Sequence, residues 1–156
     1  MGIKRYFAVK DTTISNAFKQ DLSTRATGSN MGLSDVVEVF SIYGQNMFSS
    51  SVNSKTFTSE LARVLIEFPV SGSGLGDIYG DRLAGTIPVS GNVNFYLRLF
   101  NAKHTRTVPD SMTFNIRAVS SSWDEGRGLD MDEYLDKDVA NWMHRTSSAS
   151  WTIPYL

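Results

Sequence analysis

The stretch from Glu60 to Val70, ELARVLIEFPV, constrains what this chain can fold into more than any other. Read with a period of two, Ala62, Val64, Ile66, Phe68 and Val70 fall on one face. Leu61, Arg63, Leu65, Glu67 and Pro69 fall on the other. Such alternation, with β-branched residues and a late proline, predicts a sheet strand with one buried face. Two later segments can supply the opposing apolar layer. Val93 to Phe100 (VNFYLRLF) sets Val93, Phe95, Leu97 and Leu99 on one side and Asn94, Tyr96, Arg98 and Phe100 on the other. Met112 to Val119 sets Met112, Phe114, Ile116 and Ala118 inward. Ile66 and Phe68 are therefore expected to be buried with Phe95, Leu97, Phe114 and Ile116, in one layer or in two that face each other.

Other segments fill in the same architecture. Lys4 to Ser15 predicts a first strand or strand pair, and Asn16 to Gly32 a polar loop. Asp35 to Tyr43 (DVVEVFSIY) is apolar on both faces, as in a central or covered strand. Gly44 to Ser59 is rich in Ser, Asn and Thr. It fits either a functional or mobile loop or a hairpin tip with its aromatic residues tucked down. Ser71 to Gly80 (SGSGLGDIYG) lacks the G-x-G-x-x-G spacing and any Walker lysine, so glycine serves turns there rather than phosphate binding. Asp130 to Arg145 is the only helical candidate. Asp130 stands at the cap, Glu133 at the capping-box position, and Leu135, Val139, Trp142 and Met143 share a face. Ser147 to Leu156 begins one more short strand. The expected class is all-β: a single domain over residues 1–156, an antiparallel jelly-roll β-sandwich with at most one short helix.

Composition narrows the function classes. With 156 residues, 41% hydrophobic and 20% charged, the chain can bury a core of its own. A net charge of −1 argues against a general nucleic-acid binder. No apolar run reaches membrane-spanning length, and Met1 to Val9 is short for a signal peptide. The absence of cysteine removes disulfides and thiolate metal sites and suits folding in a reducing cytoplasm.

The order of elements resembles the DNRLRE domains, β-sandwiches related to carbohydrate-binding modules. The matching pieces are Asp11-Thr12-Thr13-Ile14, then Gly28-Ser29-Asn30-Met31-Gly32 ahead of Val36 to Val39, then Ala62 to Phe68 and Val93 to Leu99. They continue with Val119-Ser120-Ser121-Ser122-Trp123-Asp124-Glu125-Gly126 and close on Ala149-Ser150-Trp151-Thr152. More closely, the chain is similar to virion structural proteins of marine tailed phages, on Ile3-Lys4-Arg5-Tyr6 and VEVFSIYG. The resemblance implies a non-enzymatic virion component, in head, neck, tail or fibre, made in the host cytoplasm. Its partners would be other virion proteins, in a homo-oligomer or bound to the particle, with no nucleic acid and no membrane span. The alternative is a carbohydrate-binding module that attaches to a surface glycan.

Few residues suggest chemistry. His104 and His144 stand alone, and there is no Gly-x-Ser-x-Gly elbow, so neither nucleophilic catalysis nor a zinc site has its parts. Seven of the 16 acidic residues lie between Asp124 and Asp138. Asp124, Glu125, Asp130 and Asp132 are candidate calcium ligands, since clustered carboxylates suit a hard cation. The same acids also suit the first turn of a helix, and both readings stand. Tyr96, Tyr134 and Trp142 are candidate platforms for sugar rings. Trp123 and Trp151 hold positions the family keeps in its core. Where the family lays down a closing strand, only Ile153 to Leu156 follow Trp151-Thr152. Trp151, Tyr155 and Leu156 are therefore expected to form an edge covered by a neighbour or by further chain.

Overall fold

The computed structural model describes residues 3–47, 55–71, 76–88, 90–91, 93–105 and 110–152. Its elements are β1 (Lys10–Ser15), β2 (Ser41–Met47), β3 (Lys55–Glu67), a short helix α1 (Ile78–Leu83), β4 (His144–Thr146) and β5 (Ala149–Ser150). Every ladder among the described residues is antiparallel. The chain divides into two compact units. One comprises Met1–Tyr6 with Pro69–Ser121, the other Phe7–Phe68 with Ser122–Leu156.

The second unit holds both sheets. The larger has the order β1-β3-β2, so the strand read most strongly from sequence is the central one. β1 pairs with β3 from Lys10↔Glu67 to Ser15↔Ala62, and β2 pairs with it from Ser41↔Leu61 to Met47↔Lys55. The polar stretch 44–59 is therefore largely the two arms of a hairpin rather than a loop. Its tip, with Phe48, lies outside the described residues. Threonine and serine in those arms suit a ladder as well as a turn, which composition alone does not separate. The strand expected from Asp35 enters the ladder only at Ser41, and there as the edge strand β2 rather than a central one, with Val36 and Val39 exposed.

The buried face of β3 also departs from expectation. Ala62 and Leu65, of opposite parity, are buried, whereas Val64, Ile66 and Phe68 are half-buried and Val70 is exposed. Leu65 joins Ile14, Trp123 and Ala140 in the apolar cluster, with Trp142 and Trp151 packed against it. The cluster is supplied by β1 and by the segment 123–142, so its position selects which face of β3 is covered. Beside it, Thr12, Thr13, Ile14 and Ser15 of β1 are all buried. The small sheet is a β4–β5 hairpin turned at Ser147 and Ser148, with a register irregularity between His144 and Thr146.

No helix forms over Asp130–Arg145. Asp130 does act as a cap, its Oδ1 accepting from the amides of Asp132 (2.8 Å), Glu133 (2.7 Å) and Tyr134 (3.1 Å). The chain then closes on itself as Leu129 N donates to Tyr134 O at 2.9 Å, and Asp138 takes a positive φ of 66°. Asn141 Oδ1 accepts the amides of Met143 and His144, both at 2.8 Å. At Asn141 a side-chain acceptor thus replaces the carbonyls that a helix would use, whereas the Asp130 cap by itself suits a helix that does not continue.

The helix that does form belongs to the first unit, at the end of the glycine-rich segment. Asp77 caps it by accepting from Gly80 N, and Ile78 N and Tyr79 N donate to the carbonyls of Pro69 and Val70. Buried Asp81 then receives Lys4 Nζ at 3.1 Å and the Tyr6 hydroxyl, fastening the N-terminal segment to α1. Residues 93–105 and 110–120 join no ladder among the described residues. Phe95, Leu97, Phe114 and Ile116, expected in the core, are between 45% and 76% exposed. Alternation fits a segment to a sheet, but it becomes a buried strand only where neighbours supply backbone partners and a covering layer. Among the described residues, no helix is long and apolar enough to cross a membrane.

Candidate functional site

The most connected side chain of the second unit is polar and fully buried. Asn30, 0% exposed, sits in the loop Gly28-Ser29-Asn30-Met31-Gly32. Its two Nδ2 hydrogens are shared among the carbonyls of Glu125 and Ala140 (both 2.7 Å) and Thr12 Oγ1 (3.1 Å). Its Oδ1 accepts from Gly32 N (3.0 Å) and Gly128 N (3.4 Å). One amide therefore joins β1, its own loop, the turn after Trp123 and the segment before Trp142. The group uses its full donor and acceptor capacity inside the chain, so burial leaves nothing unpaired.

Glycine makes the close approach feasible. A Cβ on Gly32 would collide with the carbonyls of Glu125 and Gly126, and one on Gly128 with the carbonyl of Asn30. Gly126, at φ +78°, would strike the Asn30 side chain and Val139. Around this junction, Glu125 Oε1 accepts the Asp11 amide at 2.8 Å, and Ser29 Oγ donates to Met131 O at 2.9 Å. Lys10 lies 5.6 Å from the Trp123 ring and pairs with Glu67 at 3.0 Å. Chemically the junction is a clasp. Its polar atoms are engaged, and it presents no nucleophile with a base beside it.

The four calcium candidates are not gathered into one site. Asp124 is exposed, Glu125 is committed to Asp11 N, Asp130 to three amides, and Asp132 to Gln20 N at 3.2 Å. The amides of Glu133, Tyr134 and Asp132 hold the Asp130 carboxyl below the usual carboxylate range. Among the described residues, no three His, Cys, Asp or Glu side chains converge as a metal group.

The glycan candidates are likewise separate in character. Tyr96 belongs to the first unit and is 87% exposed; Tyr134, in the second, is 63% exposed. Trp142 is half-buried, and the Arg63 guanidinium lies 4.0 Å from its ring centroid, covering a face that a sugar would need. Of the expected edge, Trp151 packs against the core and donates Nε1 to Asn141 O at 2.8 Å. Tyr155 and Leu156 lie outside the described residues.

Asn30 and Asn141, the residues that organise loops here, carry no periodic or compositional signal. The one hint is the Gly28–Gly32 frame, in which glycine permits the approach on which the clasp depends. Comparison with known proteins finds no matching family, no matching characterised protein and no matching solved structure.

Proposed function

We propose that this chain is a non-enzymatic structural component of a virion, a jelly-roll sandwich completed by contacts with neighbouring subunits. The observation that carries this is the apolar surface of the first unit. Residues 93–105 and 110–119 expose Phe95, Tyr96, Leu99, Phe100, Phe114 and Ile116 while joining no ladder among the described residues. Many large apolar side chains left in solvent favour an interaction surface, and segments with strand-like alternation seek strand partners. The two antiparallel sheets and the DNRLRE-like order of sequence elements support the same architecture. The engaged polar atoms around Asn30 favour scaffolding over turnover.

Sedimentation velocity over a concentration series tests this, alongside glycan binding and polysaccharide turnover. A structural component is expected to gain mass as concentration rises and to leave polysaccharide intact. A monomer at every concentration that binds a glycan would favour an attachment module instead. Turnover of polysaccharide would overturn the non-enzymatic assignment.

A further inference from the structure

The three-stranded sheet has two outer edges, and the chain treats them differently. Along β1, the Asp11 amide is taken by Glu125 Oε1, Thr13 Oγ1 accepts from Glu38 N at 2.8 Å, and Thr12 to Ser15 are buried. That edge is closed by the chain itself. Along the other edge, β2 pairs with β3 alone among the described residues.

The register says which backbone groups β2 leaves outward. Ala62 N donates to Phe40 O at 3.0 Å, and an antiparallel ladder alternates its bonded pairs. Ile42, Gly44 and Asn46 therefore turn their amides and carbonyls to β3, and Ser41, Tyr43, Gln45 and Met47 turn theirs away. The segment SIYGQNM contains neither charge nor proline, the devices that usually discourage pairing at an edge. Ile42, at its start, is 49% exposed.

We propose that the β2 edge pairs with the β2 edge of a second copy, antiparallel about a two-fold axis through Gly44. The outward residues are symmetric about Gly44, so Ser41 meets Met47 and Tyr43 meets Gln45 at bonded positions. Gly44 meets its own copy at a non-bonded position, where Cα atoms approach to about 4.5 Å and side chains crowd most. Glycine removes that crowding, and no like charges oppose one another. The contact is isologous and closes as a dimer, joining two three-stranded sheets into one. It builds on the assembly role proposed above, resting on it for the premise of self-association and naming a surface in the other unit.

Cysteine cross-linking tests it, because the chain has no cysteine of its own. Gly44→Cys is expected to yield a disulfide-linked dimer on mild oxidation. Ser41→Cys is expected to yield none, since the axis sets the two Ser41 positions ~20 Å apart along the strands, far beyond disulfide reach. If Gly44→Cys does not fold, a mixture of Tyr43→Cys and Gln45→Cys chains should cross-link where neither does alone. Gln45→Pro, which removes an outward donor and spares the β3 ladder, should abolish the dimer with the melting temperature unchanged. Equal cross-linking at positions 41 and 44, or self-association with no cross-link in either arrangement, would overturn the edge pairing while leaving the assembly role standing. A monomer at all concentrations would overturn both.

Discussion

The Asn30 junction and the stretches 93–105 and 110–119 invert the usual division between inside and outside. At the junction a polar amide is wholly buried, and every hydrogen bond it can make is made. Along 93–105 and 110–119 large apolar side chains stand in solvent, in segments with no ladder among the described residues. The difference lies in partners rather than polarity. A polar side chain can be buried where loops converge on it, and an apolar one stays exposed where nothing converges. The first region is therefore closed by its own chain, and the second is the surface on which a neighbour would gain most.

The contrast breaks most readily at Asn30. Asn30→Ala leaves the carbonyls of Glu125 and Ala140 and the amide of Gly32 without partners. It should destabilise the chain by about 3–5 kcal/mol in urea unfolding, from several buried groups at ~1–3 kcal/mol each. A loss under about 1 kcal/mol would mean that water reaches the junction. Gly32→Ala should follow, costing roughly 2–3 kcal/mol because the new methyl meets backbone that cannot rotate away. Gly28→Ala, four residues earlier with open space around it, should stay within about 0.5 kcal/mol.

On the other side of the contrast, Phe95→Ser and Ile116→Ser should change monomer stability by no more than about 0.5 kcal/mol, as for exposed positions. Both should weaken self-association in sedimentation. A large fall in monomer stability would show that these side chains are core after all.

The smallest effects are pH-dependent, one in each unit. Backbone amides lower the Asp130 pKa from its ordinary 3.8, so its contribution is full above that value. It is lost as pH falls through the lowered folded value. Asp130→Asn should remove this part of the acid-induced fall in melting temperature. Tyr6 runs the other way, pushed from 10.0 up to about 12 by burial and then by Asp81. Its contribution is full below 10.0 and lost as pH rises through about 12. Tyr6→Phe should be less sensitive across that alkaline window.

What sequence discloses follows from which forces are local. β3 was legible as a strand from its alternation, but its central place was not. The two-faced apolar pattern pointed to Asp35–Tyr43, which supplies edge strand β2, because side-chain parity reports the faces of a sheet and not the backbone partners in its plane. Which face would be buried was not legible either, since the choice between Leu65 and Ile66 depends on where distant Trp123 and Ala140 pack. The helix expected over Asp130–Arg145 fails after its cap, where the chain closes on Leu129, Asp138 takes a positive φ, and Asn141 takes the amides of Met143 and His144. The Asp130 cap was visible in the sequence; the turn at Asn141 was not. α1 is hidden in the sequence by the glycines around Asp77, although an aspartate before Ile78 is an ordinary cap. The clasp was the least legible feature, being five polar contacts on one asparagine amide drawn from four separated segments.

Hydrogen exchange of residues 93–100 and 110–120 tests most directly whether this surface awaits a neighbour. The dilute chain is to be compared with the concentrated, associated one. These amides should exchange fast when dilute and slowly when associated, while the Asn30 loop stays protected in both. Equal and strong protection of both stretches in the dilute chain would mean that they pair within the molecule, and an assembly surface there would be contradicted.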